Sequence, residues 1–108
     1  MDFAGLEKNL HYSFVTNDLL SRALTHRSYL NEHREKNLLS NERIEFLGDA
    51  VLELLISRKI FDDFPDLPEG DLTALRSKIV CTKNLAEIAR ELDLGKYLLL
   101  SRGEDEGG

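Results

Sequence analysis

An all-α fold is what the sequence predicts, and three observations carry it. Apolar residues recur at helical spacing through most of the chain, no segment makes a convincing strand, and the segments are broken by turn chemistry at Phe64-Pro-Asp-Leu-Pro-Glu-Gly-Asp. The 108 residues are enough for one domain and too few for two, and a hydrophobic share of 42% supplies material for a core.

Leu6, Leu10 and Phe14 share one face and predict a short helix before Val15. Asn17 can cap a second helix carrying Leu19, Leu20, Ala23 and Leu24. Residues 31–40 are polar and read as a loop. Asn41, or Ser40, then caps the longest helix, which runs to about Phe61. Pro65 and Pro68 disfavour helix just before them, and Gly70 with Asp71 leads into a helix bearing Leu72, Leu75, Ile79 and Val80. Thr82 caps the next, with Leu85, Ile88, Ala89 and Leu92 in register, and Gly95 marks its stop. Tyr97 to Leu100 reads as a helical turn, and residues 102–108 as a disordered acidic tail.

Composition limits the function classes. No apolar run has the length of a membrane span, and Met1 to His11 lacks the pattern of a secretory signal. A single cysteine, Cys81, excludes an internal disulfide and suits a reducing cytoplasm. The net charge is −6, with 20 acidic against 14 basic residues, which by itself opposes nucleic-acid binding. That opposition eases if the acids hold cations that bring phosphate in, or if a separate basic module grips the nucleic acid.

The long helix carries the most information. At roughly 100° per residue, Glu42, Glu45, Asp49 and Glu53 share an arc of about 80°. Like charges at these spacings destabilise an isolated helix by roughly 0.2–0.5 kcal/mol per pair. A charge stripe is commonly no more than a solvated face. Here, however, Phe46, Ile56 and Ile60 border or continue the stripe, while Ile44, Leu47, Val51, Leu54 and Leu55 form the expected core face. A helix apolar on its back and partly apolar on its acidic front meets something on both sides. Gly48 at mid-helix costs roughly 1 kcal/mol against alanine and points to close packing by a neighbour or a ligand. Glu45 and Asp49, one turn apart, can converge on a hard cation that keeps most of its waters.

Asn41-Glu-Arg-Ile-Glu-Phe-Leu-Gly-Asp-Ala-Val-Leu resembles the signature helix of the ribonuclease III family almost letter for letter. Ala23-Leu-Thr-His-Arg-Ser-Tyr, Phe64-Pro-Asp-Leu-Pro-Glu-Gly-Asp-Leu-Thr and Leu75-Arg-Ser-Lys-Ile-Val-Cys match the same family in the same order. The resemblance covers nearly the whole chain. It implies a partial endonuclease domain over residues 1–108 that dimerises and cleaves double-stranded RNA with Mg2+ or Mn2+, leaving 5′-phosphate and 3′-hydroxyl ends. It implies that Glu45 and Asp49 ligate the metal, that Glu42 and Glu69 lie near the scissile bond, and that Phe46 inserts into a partner subunit. The family continues beyond a loop like Gly103 to Gly108 into a helix whose acids complete the site, so the chain alone is expected to be inactive. The competing reading is a non-catalytic domain of this type that scaffolds RNA or ribosomal partners; such relatives are expected to lose the acids that are present here.

Among the remaining residues, His26 beside Thr25 and Ser28 reads as a hydrogen-bonded packing residue, and Cys81 as a small buried hydrophobe. Arg76 and Lys78 are candidates for contact with RNA, or simply solvated surface cations.

Overall fold

The computed structural model describes residues 2–34 and 39–103, and among these the elements are helical, with one isolated bridge. The helices are α1 (Ala4–Leu10), α2 (Asn17–Ala23), α3 (Arg27–Glu32), α4 (Glu42–Asp63), α5 (Glu69–Ile79) and α6 (Thr82–Glu91), followed by a 3-10 turn at Leu94–Tyr97. Part of the polar loop, residues 35–38, and the acidic tail, residues 104–108, lie outside the described residues.

Helix α1 stops before Phe14 because His11 takes the left-handed conformation, with φ of 56°. The chain then folds back, and the Phe14 amide donates to the Glu7 carboxylate at 2.6 Å. Leu6 and Phe3 thereby meet Leu20 and Leu24 from α2 and its end, forming a buried cluster on which Leu10, Phe14, Leu94 and Tyr97 pack. Gly5 fits this joint closely, since a Cβ there would stand 2.6 Å from the Tyr97 hydroxyl and oblige that side chain to shift. Asn17 proves to be the first residue of α2 rather than its cap.

The segment after α2 departs from the continuous helix its leucines suggest. Leu24, Thr25 and His26 leave the helix and serve as a junction. Leu99 N–H donates to Leu24 carbonyl at 2.8 Å, His26 N–H donates to Leu99 carbonyl at 2.9 Å, and Asn41 N–H donates to Thr25 carbonyl at 2.9 Å. Thr25, only 1% exposed, places its hydroxyl proton on Ser21 carbonyl at 2.7 Å, so its burial leaves no polar group unpaired. Leu99 is thus extended and bridged to Thr25, not part of the helical turn expected at Tyr97 to Leu100. His26 caps α3, with its Nδ1 accepting from Ser28 N–H at 3.1 Å. Its role is structural, as its surroundings in the sequence suggest.

At the start of α4 the two candidate caps divide the work. Asn41 occupies the capping position but sends its side-chain amide to Ala23 carbonyl at 2.9 Å. Ser40 Oγ accepts from Glu42 N–H at 3.4 Å, and Arg22 Nε donates to Ser40 carbonyl at 3.1 Å. The first turn of α4 is therefore fixed to the junction on several sides. Helix α5 begins directly after Pro68, at Glu69, and packs along the C-terminal half of α4. Asn84 of α6 donates to Lys78 carbonyl at 2.7 Å, closing the α5–α6 corner. Cys81 takes the capping position of α6, and Thr82 is the first helical residue. Cys81 is exposed, not buried, because it sits at this corner outside the apolar face of α6. Asp93, with φ of 60°, makes the left-handed break after α6, whereas Gly95 lies inside the following 3-10 turn.

The face of α4 expected to form the core does not do so. Leu47, Val51, Leu54 and Leu55 are exposed, and the one buried residue of the helix is Ile60. Ile60 lies near the azimuth of the acids, about 20° from Asp49. Packing of α5 therefore covers the acidic side of α4, in its C-terminal half only. The radius of gyration is 16.5 Å and the extents are 54 × 29 × 23 Å, against about 13 Å for a compact chain of this length. Much of α4 thus stands clear of the rest of the described residues.

Candidate metal and nucleic-acid site

The acids of α4 sort into groups that a helical wheel alone does not separate. Glu45 and Asp49 are exposed and one turn apart, and among the described residues neither carboxylate has a hydrogen-bond or ion-pair partner. Glu42 shares their side of the helix but has partners from the segments before it. Its Oε1 lies 3.7 Å from Arg27 Nε and 3.5 Å from Ser40 Oγ. That pair is well exposed and contributes about 0–1 kcal/mol, so its effect is orientation more than stability.

Glu69 is placed elsewhere. It opens α5 and lines a cleft of about 250 Å3 together with Ser57, Ile60, Phe61, Leu72, Thr73 and Arg76. Ser57 to Phe61 lie eight to twelve residues beyond Asp49, which is about 12–18 Å along the helix axis. Within one chain, then, Glu69 belongs to a second locus on the same side of α4. Two carboxylates one turn apart on an open face suit a hard cation that keeps several waters. No third histidine, cysteine, aspartate or glutamate joins them among the described residues.

Phe46 is 81% exposed and borders the acids. With Arg22, Glu42, Arg43, Ile44 and Leu47 it lines an open groove of about 680 Å3 beside the α4 start. Gly48 has open space where a Cβ would stand, so no described helix accounts for it by close packing. Two features of the site had no signal in the sequence. The Arg27–Glu42 pair joins residues in separate motifs, and the hydrogen bond from Arg76 Nη1 to Ser57 Oγ, 2.9 Å, joins two helices.

The all-helical domain, with its acidic helix clamped at the first turn, has clear relatives. Residues 16–108 match the family described as Ribonuclease-III-like. Ribonuclease 3 of Oceanobacillus iheyensis is 50% identical over 108 residues, which are 100% of this chain and 47% of that protein. Ribonuclease 3 of Listeria welshimeri is 46% identical over 103 residues, 95% of this chain and 45% of that protein. The chain spans about half the length of these curated relatives. Two structures of the nuclease domain of ribonuclease III from Campylobacter jejuni superpose with TM-scores of 0.87 and 0.86 at 42% identity. They are matched over 99% of this chain and over 71% and 69% of theirs, and one is described for structural flexibility in a region involved in dimer formation. The chain belongs to the ribonuclease-III-like family, and its fold is that of the ribonuclease III nuclease domain.

Proposed function

We propose that residues 1–108 are part of the nuclease domain of a metal-dependent endoribonuclease that cleaves double-stranded RNA in the cytoplasm as a homodimer. The observation that carries this reading is the Glu45–Asp49 pair, open to solvent on a helix whose first turn is fixed by Ser40, Asn41 and the Thr25 junction. Unpaired like charges persist there at a cost to the helix, which a cation offsets. Magnesium or manganese, when bound, lowers the pKa of water and stabilises charge on a phosphoryl oxygen.

The chain's own residues then have distinct tasks. Glu45 and Asp49 hold the cation. Glu42, kept by Arg27 at the helix start, and Glu69, at the α5 end, lie along the path of the bound strand. Phe46 anchors the contact between subunits and leaves the acidic face open. The reaction is hydrolysis of a phosphodiester to 5′-phosphate and 3′-hydroxyl ends.

Two carboxylates give a weak site, and this chain alone has little nuclease activity for that reason. Titration of the 108-residue chain with Mn2+ is expected to broaden amide signals around Glu45 and Asp49 at millimolar metal, and Asp49→Asn is expected to abolish the effect. Broadening centred elsewhere, or none at all, removes the metal assignment. Robust cleavage of long double-stranded RNA by this chain, lost in Asp49→Asn, would instead show that the two carboxylates suffice.

A further inference from the structure

We propose that the cleft between α4 and α5, at Arg76, Ser57 and Thr73, receives a phosphodiester of the RNA strand that lies along the acidic face of α4. The proposal rests on the RNA-cleaving reading and adds a backbone contact to it.

Arg76 is half-buried, and among the described residues its side chain has one partner, a neutral one: Nη1 donates to Ser57 Oγ at 2.9 Å. No carboxylate lies within ion-pairing distance of its guanidinium among the described residues. The other side-chain ion pairs of this region, Arg58–Asp62 and Lys59–Asp63, are exposed and spaced i to i+4 along α4. Arg76 is therefore a partly desolvated cation without a counter-charge. A guanidinium keeps several N–H donors beyond the one used here, in a geometry that suits phosphate oxygens. Ser57 and Thr73 line the same cleft of about 250 Å3 and can add hydroxyl donors.

Position supports the assignment. Ser57 lies two turns beyond Asp49, about 12 Å along the axis, and about 80° round from it, on the side of α4 that carries the acids. A strand positioned with one phosphate at the metal pair passes over this cleft a few nucleotides further on. Glu69 lines the cleft too, but it is seven residues from Arg76, about 10 Å along α5. The Arg76 end is thus free for an anion while Glu69 marks the other end. In a chain with a net charge of −6, a fixed cation on the acidic side is where phosphate affinity is gained.

The test is a titration of the 108-residue chain with a short RNA duplex, following the Arg76 Nε–Hε signal and the Ser57 and Thr73 amides. These signals are expected to shift together, with inorganic phosphate producing a weaker version of the same shift. Fluorescence anisotropy with Arg76→Gln is expected to show binding weakened roughly tenfold and a salt slope reduced by about one. Ser57→Ala, which keeps the cation, should lose much less. Should Arg76→Gln disturb the helices by circular dichroism, the Nε–Hε shift in the native chain decides. An Nε–Hε signal unmoved at millimolar duplex overturns the proposal. If Mn2+ broadening at Glu45 and Asp49 persists in that case, the metal-site reading stands without this contact. If the broadening is absent as well, both readings fall.

Discussion

The N-terminal cluster and the α4 helix are both rich in apolar residues and treat them in opposite ways. Phe3, Leu6, Leu20 and Leu24 are buried, whereas Leu47, Val51, Leu54, Leu55 and Phe61 of α4 are exposed. The cluster closes because α1, α2 and the 3-10 turn converge on it from both ends of the described chain. Helix α4 has α5 along one half of one side and, among the described residues, nothing comparable on its back. The difference separates two jobs: the small core holds the start of α4 in place, while the rest of that helix presents surface.

The sharpest way to break the comparison is Leu6→Ala. Leu6 is 0% exposed at the centre of the cluster, and the variant is expected to lose about 2–5 kcal/mol in chemical denaturation. A loss near zero would mean that the cluster is not the stabilising core. Phe46→Ala tests the opposite region. Loss of this proposed anchor of a self-complementary contact should weaken association by about 2 kcal/mol or more in analytical ultracentrifugation. A native chain that stays monomeric at high micromolar concentration removes the dimer, and a variant that associates equally well moves the anchor elsewhere. Gly5→Ala puts a methyl against the Tyr97 hydroxyl and is expected to lower stability by about 1–3 kcal/mol. The double variant Gly5→Ala, Tyr97→Phe should recover part of that loss. Least affected is Leu54→Ala, on a residue 67% exposed, with a change within about 0.5 kcal/mol for the monomer. A larger loss at low protein concentration would show that the back of α4 is covered after all.

Where local rules decide, the fold was legible. The spans of α4, α5 and α6 follow from apolar spacing, and the turn at Pro65 to Pro68 follows from proline chemistry. The Glu45–Asp49 pair follows from the helical repeat, as does the exposed setting of Phe46. Where distant residues decide, legibility ended. Leu24 has the spacing of a helical residue, yet its carbonyl is taken by Leu99, and no local signal in either segment announces that bond. The same holds for the choice of face on α4. Both sides carry isoleucine or leucine, so the wheel favours the broader stripe, but contact with α5 selects Ile60 and leaves that stripe open. Glu69 illustrates the point for the site: the resemblance implies a place near the scissile bond, and only the α4–α5 hairpin shows that within the chain it lines a cleft about 12–18 Å beyond Asp49 along α4.

The Thr25 junction has a kinetic consequence. Its neighbours' backbone groups hold the residue before α4 and the segment after the 3-10 turn at once, through the amides of Asn41, His26 and Leu99. Opening any one of these bonds removes a support from the others, because all three meet at the stretch Leu24 to His26, of which Leu24 and Thr25 are buried. Such groups open as one unit, so these amides should share one hydrogen-exchange rate although they lie far apart along the chain. The exposed middle of α4 should exchange on its own, faster schedule. Opening at Leu99 is thereby transmitted to the first turn of the acidic helix, and a substitution near Leu99 can loosen Glu42 and Glu45 without touching them.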